Sequence, residues 1–91
     1  MDFEITIQGR GGHGSRPDCS RNPIDCFAAI FGALLQLGCK ISCVDAGTCA
    51  NIIPDALRFR VTVAGEKTDA MKQMVEHTCS IYHCSPNFHT P

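Results

Sequence analysis

The sequence predicts one α+β domain, an antiparallel four-stranded sheet with two helices on one face. Two segments, residues 2–8 and 57–64, alternate apolar and polar residues, which is the period of a strand covered on one side. Two others, residues 22–38 and 68–83, repeat apolar residues at helical spacing. Ninety-one residues suffice for a single modest core, and 44% of them are apolar.

The first half of the chain begins with a strand and continues through a loop into a helix. In the strand, residues 2–8, every second side chain from Phe3 to Ile7 is apolar. Residues 9–17 contain too much glycine for a helix or strand interior and are predicted to form a shaped loop. The helix then starts at Asn22, a capping residue followed by Pro23 in the first turn, and ends at Gly38.

The second half contains the remaining strands and the second helix. A second strand is predicted at residues 40–46, a connection at 47–55, and a third strand at 57–64. Thr68 or Asp69 caps a second helix that runs to about residue 83. Only a stub, at about residues 87–90, is left for a fourth strand.

The resulting order, β-α-β-β-α-β, is that of the ferredoxin-like or split βαβ fold. Strands one and three are expected in the middle of the sheet, with Glu4 near Arg58 or Arg60, and strand two at an edge. The first and last strands are expected to be antiparallel neighbours. Both ends of the domain would then emerge together, as an inserted domain requires.

The first helix has two apolar faces, although a domain of this size can bury only one. The interpretation is that the second face meets another chain, together with Ile41 and Cys43 of the edge strand. The first face consists of Ile24, Phe27, Ala28, Phe31, Leu34 and Leu35. The second, predicted as the dimer interface, consists of Cys26, Ile30, Ala33 and Leu37.

Composition argues against several classes of partner. The net charge is −1 and the eight lysine and arginine residues are scattered, so no nucleic-acid surface is predicted. The longest apolar run, residues 26–35, is about half a membrane span, and no membrane contact is expected.

Cysteine usage indicates a reducing compartment. Seven cysteines are an odd number and no secretory leader is recognisable, so we expect free thiols and a cytoplasmic protein. The cysteines lie beside apolar residues, where a thiol acts as a small hydrophobe. Their spacings do not match a structural zinc site, and no metal ligands are predicted in this chain.

Polar residues of possible chemical interest gather in two loops, around His13 and Asn51. A histidine in a glycine loop is more often structural or solvated than catalytic, and an asparagine there often only forms a turn. Ser15 has no nucleophile-elbow context, so nucleophilic catalysis is not supported.

Three segments nevertheless resemble the dimerisation domain of metallopeptidase family twenty. They are residues 9–18 (GRGGHGSRPD), 22–25 (NPID) and 46–48 (AGT) leading into 51–55 (NIIPD). This family includes aminoacylases, hippurate hydrolase-like amidohydrolases, acetylornithine deacetylase, succinyl-diaminopimelate desuccinylase and glutamate carboxypeptidases. The similarity spans nearly the whole chain, and separate motifs in the right order are more specific than any one of them alone.

The resemblance implies that residues 1–91 are one dimerisation or lid domain, excised from a larger amidohydrolase or peptidase. That parent would hold two zinc or similar divalent ions on ligands outside this chain, so the fragment alone is expected to have no cofactor and no activity. The implied partners are a second copy, forming a homodimer, the parent's catalytic domain, and a small-molecule or peptide substrate.

The resemblance also implies site residues. His13 matches a loop histidine that reaches into the partner's active site and holds the scissile carbonyl, a role that needs placement more than basicity. Asn51 matches an asparagine that binds polar groups of the substrate. Gly12 would let the backbone approach the substrate closely, and Arg16 is a candidate partner for an anionic substrate group. Ala64 stands where several members carry a carboxylate-binding arginine, so bidentate recognition from that position is lost.

Two hypotheses remain. One is a lid and dimerisation module of an enzyme that hydrolyses amide bonds of N-acyl amino acids or small peptides. The other is a free-standing ferredoxin-like module that binds a small ligand or mediates association without catalysis. Flanking segments with His, Asp and Glu metal ligands would decide for the first.

Overall fold

The computed structural model describes residues 1–13, 21–48 and 50–91. Two α-helices and six strands occur in these ranges, and a 3₁₀ turn at Gly65–Lys67 precedes the second helix. The helices are α1 (Pro23–Gln36) and α2 (Thr68–Ile81). The strands are β1 (Asp2–Gln8), β2 (Gly12–His13), β3 (Lys40–Asp45), β4 (Ile52–Ile53), β5 (Ala56–Thr62) and β6 (Ser85–His89).

Four strands form the main sheet, in the order β3-β5-β1-β6, and every neighbouring pair is antiparallel. Both helices pack on one face, α1 against β1 and β5 and α2 against β6. The predicted ferredoxin-like α+β fold is therefore confirmed, with β3 at an edge as expected. On the open face Glu4 lies opposite Arg60, whose Nε is 3.6 Å from Glu4 Oε2.

The core lies between the sheet and the helices. Strand alternation supplies one half of it, because Phe3, Ile5 and Ile7 of β1 point towards the helices while their neighbours face water. In α2 the buried residues are Met71, Val75 and Cys79. The helix ends at residue 81, slightly before the predicted residue 83, and Tyr82 in the following turn is 38% exposed.

The ends of α1 follow the sequence signals closely. Asn22 Oδ1 accepts a hydrogen bond from the N–H of Ile24 at 2.9 Å, which caps the first turn. Gly38 has a φ of +78°, the left-handed conformation that glycine adopts after a helix.

The start of α2 differs from the prediction. The 3₁₀ turn leads directly into the helix, whose N-cap Lys67 makes no side-chain capping bond.

The fourth strand of the sheet is longer than the predicted stub. It covers Ser85–His89 and pairs with β1 from Gln8↔Ser85 to Glu4↔His89. Pro86 is compatible with this strand because β6 is an edge strand, and proline is tolerated where the N–H position faces solvent rather than a second strand.

The two apolar faces of α1 are largely exchanged relative to the prediction, although Leu34 of the first face is fully buried as expected. Cys26 and Ile30 are fully buried within the chain, and Ala33 and Leu37 are half-buried, so these four do not form an exposed interface. The small thiol of Cys26 lies 3.6 Å from that of Cys79, which lets α1 and α2 approach closely over the sheet. Assigning Cys26 and Ile30 to the dimer interface was therefore wrong.

The exposed large apolar residues of α1 all belong to the other set. Ile24, Phe31 and Leu35 are 43%, 40% and 53% exposed, and we call them the outer stripe of α1. The Phe31 ring is 5.8 Å from that of Phe27, which packs at 4.9 Å on Phe59 of β5. Phe31 is thereby linked through Phe27 to β5, the strand that pairs with the edge strand β3.

The edge strand β3 is irregular and largely exposed. It pairs with β5 through Lys40, Ile41 and Ser42, and the register shifts before Asp45. Cys43, within this bulge, is exposed with a φ of +54°, whereas Ile41 is half-buried against the core.

Neither helix in the described ranges, at 14 residues each, is long and apolar enough to cross a membrane.

Four buried cysteines occupy the core as neutral thiols. Burial raises the pKa of Cys26, Cys39, Cys79 and Cys84 above the ordinary value for a thiol. Cys43, by contrast, is exposed. The buried thiols act as small apolar groups, as the sequence pattern indicates.

The raised pKa values predict that the protein loses stability in mild alkali. A thiol in the unfolded chain releases its proton near pH 8.5, while its buried counterpart retains it, so the unfolded state is favoured as pH rises. Each such thiol removes up to about 1.4 kcal/mol of unfolding free energy per pH unit above that point. Guanidinium unfolding between pH 7.5 and 9.5 should show this decline, with a smaller slope in Cys26→Ala and an unchanged slope in Cys43→Ser. A flat profile would contradict it.

Candidate functional site

The two loops predicted to carry the site are joined by a short antiparallel ribbon. Gly12 pairs with Ile53, and the main chain of His13 pairs with Ile52. Asn51 comes directly before β4 and is exposed. The structure therefore brings the glycine-loop segment and the asparagine segment together.

Hydrogen bonds close the base of the glycine loop. The N–H of Arg10 donates to the carbonyl of Arg21 and the N–H of Arg21 donates to that of Arg10, both at 2.9 Å. The chain thus leaves β1 and returns at the start of α1, so both ends of the loop are fixed by the main fold. A side chain at Gly9 would collide with the carbonyl oxygen of Arg21, so this closure requires glycine there.

Asp55 connects the glycine loop to the second segment. Its main-chain carbonyl accepts a hydrogen bond from the N–H of Gly9, and its Oδ1 accepts one from the N–H of Gly11, both at 2.8 Å. Sequence reasoning assigned no role to Asp55. The available signal was its place directly after Ile53-Pro54, where a short polar side chain commonly accepts hydrogen bonds from nearby backbone.

An open groove of about 680 Å³ lies beside the ribbon on the uncovered face of the sheet. Ile52 and Ile53 border it on one side, and Thr6, Gln8 and Arg58 of the sheet on the other. Arg58 Nη2 is 3.4 Å from Asp45 Oδ2 and both side chains are exposed, a pair that contributes little to stability. The groove has a mixed polar and apolar lining, and it lies on the face of the sheet away from the helices.

The sequence-predicted site residues fall into three groups. Gly12 and the main chain of His13 lie in β2, and Asn51 lies next to their partner strand. Arg16 lies outside the described residues. Ala64 is exposed and precedes the 3₁₀ turn at Gly65–Lys67, beyond the end of β5, so the ribbon is not built around it.

The groups on the ribbon can make polar contacts with a ligand. Within residues 1–13, 21–48 and 50–91, no three His, Cys, Asp or Glu side chains are grouped so that they could hold a metal ion. The ribbon offers backbone groups, an exposed amide at Asn51 and a histidine position. Such groups can orient a polar substrate and stabilise charge that develops on it.

Comparison with known families places this arrangement in context. The family model of the peptidase dimerisation domain matches residues 1–80. The chain belongs to this peptidase dimerisation-domain family. The resemblance carried by the two loop motifs is thus confirmed over most of the chain.

Curated relatives of this dimerisation domain are hydrolases. N-acetylcysteine deacetylase of Bacillus subtilis is 33% identical over 86 residues, covering 82% of this chain and 23% of the relative. Thermostable carboxypeptidase 2 of Saccharolobus solfataricus is 30% identical, covering 88% of this chain and 25% of the relative. The chain therefore spans about a quarter of the length of the curated relatives it matches.

Solved structures show the same fold for the dimerisation domain. A dinuclear metal binding peptidase of Bacillus subtilis, the YXEP protein, is 26% identical with a TM-score of 0.70, covering 97% of this chain and 24% of that protein. A tripeptidase of Staphylococcus aureus superposes with a TM-score of 0.79 at 19% identity, covering 97% of this chain and 27% of that one.

Proposed function

We propose that this chain is the dimerisation and lid domain of a metal-dependent amidohydrolase or peptidase that hydrolyses amide bonds of N-acyl amino acids or small peptides. Family membership supports this, as do relatives named as a deacetylase, carboxypeptidases and a hippurate hydrolase. The chain corresponds to about a quarter of each curated relative, which is the share expected of one domain in such an enzyme.

The observation that carries the proposal is the ribbon that sets His13 opposite Ile52 and beside Asn51. In the proposed mechanism the imidazole of His13 enters the partner subunit's active site. There its N–H donates a hydrogen bond to the carbonyl oxygen of the substrate as that oxygen becomes negative. The amide of Asn51 orients polar groups of the same substrate. Gly12 allows the backbone to lie close to it.

The metal ions belong to another part of the proposed enzyme. The described residues of this chain do not fit a metal site. The structural relative from Bacillus subtilis is a dinuclear metal binding peptidase, and on that analogy we place two zinc or similar divalent ions in the parent's catalytic domain. The contribution of this chain is to bind and orient the substrate.

Homodimerisation is proposed through the outer stripe of α1 and the neighbouring edge of β3. Ile24, Phe31 and Leu35 are exposed on α1, which packs on β5, and Val44 of the adjoining strand β3 is 51% exposed. A second copy covering this surface would remove apolar area from water and meet the unpaired edge of the strand. In this arrangement Cys43 stays a proposed contact, and Ile41 supports the edge from within.

The topology also supports insertion into a larger protein. β1 and β6 are antiparallel neighbours, and Glu4 lies opposite His89. Connections to a catalytic domain would therefore leave from one end of the sheet.

We place the protein in the cytoplasm because the five cysteines of the described residues are free thiols, which oxidising compartments disfavour.

His13→Ala in the full-length parent tests the function. We expect kcat to fall about 10²- to 10³-fold, since removing one oxyanion donor costs about 2.7–4 kcal/mol of transition-state stabilisation. His77→Ala, on the exposed side of α2, is the matched control and should leave kcat unchanged.

Mixed dimers separate action in trans from action in cis. One subunit carries His13→Ala and the other lacks a metal ligand of its catalytic domain. If His13 serves the partner, one of the two active sites of the mixed dimer is complete and activity returns. An unchanged kcat in His13→Ala, or no recovery in the mixed dimer, would refute the proposed role.

A further inference from the structure

Asp55 makes a double connection across the candidate site. The N–H groups of Gly9 and Gly11, two residues apart on the glycine loop, donate to its carbonyl oxygen and to its Oδ1, each at 2.8 Å. Immediately beyond Gly11 the β2–β4 pairing begins, with Gly12 opposite Ile53. The two bonds to Asp55 therefore continue the ribbon back to the main sheet.

The close approach at this point leaves no room for a side chain. A Cβ at Gly11 would lie 2.8 Å from Asp55 Oδ1 and would also collide with the carbonyl oxygen of Ile53. Glycine at position 11 therefore suits Asp55, because without a side chain its N–H can come close enough to donate a hydrogen bond to the carboxylate. The contact is charge-assisted, which makes it stronger than a bond between neutral groups.

A ribbon of two residues on each strand cannot hold its own position. Isolated two-stranded ribbons are marginally stable in water, and this one has only two facing pairs. Within the described residues, Asp55 supplies the side-chain bond between the glycine loop and the 51–55 segment. The bond precedes His13 by two residues on one strand, and Asp55 follows Asn51 by four residues on the other.

We infer that Asp55 is a positioning residue that fixes the His13 strand against the Asn51 segment through the N–H of Gly11. This inference rests on the proposed function for its catalytic consequence. The carboxylate touches neither substrate nor reacting atoms. It holds in place His13 and Asn51, the two residues that contact the substrate in the proposed function.

Substitution of Asp55 in the full-length parent tests the consequence. Asp55→Ala removes the acceptor and is expected to lower kcat about 10- to 100-fold, since displacement of a reacting group by about 1 Å costs up to about 10²-fold. Asp55→Asn keeps an oxygen at the Oδ1 position and should retain most of kcat. Asp69→Ala, an exposed aspartate in the first turn of α2, is the matched control and should behave as wild type.

Gly11→Ala disrupts the same hydrogen bond from the other strand. It should lower kcat as Asp55→Ala does, and the double variant should be no worse than Gly11→Ala alone, because both changes break one contact. Additive losses would overturn the inference. Thermal unfolding of each variant separates lost placement from lost folding, and Asp55→Asn keeps the test valid if Asp55→Ala fails to fold.

Amide hydrogen exchange in the 91-residue chain gives a readout that does not depend on catalysis. In Asp55→Ala the Gly11 amide should exchange at least about 10-fold faster, while the amides in the β1–β5 ladder keep their protection. Asp55→Asn should restore protection at Gly11. Unchanged protection in Asp55→Ala would refute the positioning role.

The two sets of results distinguish this inference from the proposed function. If His13→Ala leaves kcat unchanged, the proposed function fails, and the catalytic part of this inference fails with it, whatever the exchange data show. If His13→Ala lowers kcat while Asp55→Ala does not, the proposed function stands and the positioning role alone is overturned.

Discussion

Phe31→Glu combined with Leu35→Lys is expected to convert the proposed dimer into a folded monomer. Both residues belong to the outer stripe of α1 and are about half exposed, so burying the rest of each in an interface is worth about half of the 1.5–3 kcal/mol of full burial, and each occurs twice in a symmetric dimer. Losing both should raise the dimer dissociation constant about 100-fold or more, since each 1.4 kcal/mol is a factor of about ten. Sedimentation velocity over a concentration series measures the shift.

The pair of substitutions is chosen to leave the helix intact. A glutamate at 31 and a lysine at 35 stand four residues apart in the favourable order, and a cation near the C-terminal end of α1 suits the helix dipole. Far-ultraviolet circular dichroism should therefore match wild type. Ile81→Lys, which replaces a 60% exposed apolar residue on α2, should leave association unchanged. A wild-type chain that stays monomeric at high concentration would refute the interface itself.

Much of the fold could be predicted from the sequence because its signals are local. The alternation of β1 and β5 identifies the two central strands, and the inward residues are the ones that pack in the core. Asn22 and Gly38 mark the ends of α1 through backbone chemistry that depends on few distant contacts. The 3.6-residue spacing of apolar residues likewise identifies the buried face of α2.

The orientation of α1 could not be predicted because both of its faces are apolar. Periodicity detects a face but does not identify its neighbour. The choice depends on the approach of α1 to α2, where Cys26 and Cys79 are in contact at 3.6 Å and only small side chains fit. Phe31 and Leu35 are exposed although they are as apolar as the buried Ile30 and Leu34, so hydropathy alone does not separate the two faces.

The ribbon was missed for a different reason. Two-residue strands have no periodicity to detect, and the segments around Gly12 and Ile53 contain the glycine and proline that indicate loops. Their pairing is decided by Asp55 and Gly11, which lie 44 positions apart in the sequence. Family resemblance marked His13 and Asn51 as site residues, whereas their proximity in space is visible only in the fold.

Ile30→Asp is expected to unfold the chain. Ile30 is fully buried between the sheet and α2, so the substitution places a carboxylate without a partner in the core. Single substitutions costing more than about 4–5 kcal/mol are rare and arise from such buried charges, and small domains have only about 5–15 kcal/mol to lose. The truncation Ile30→Ala should cost about 2–5 kcal/mol.

Ile24→Asp is the matched comparison, because it makes the same substitution in the same helix at an exposed position. Near the N-terminus of α1 a carboxylate interacts favourably with the helix dipole, so the unfolding free energy should change by no more than about 0.5 kcal/mol. Denaturant unfolding at low protein concentration keeps association from contributing to the result. If the two variants were equally stable, the assignment of Ile30 to the core and Ile24 to the outer stripe would be wrong. A large loss at position 30 alone would establish that α1 lies with the face of Cys26 and Ile30 inward, leaving the outer stripe free for a second copy.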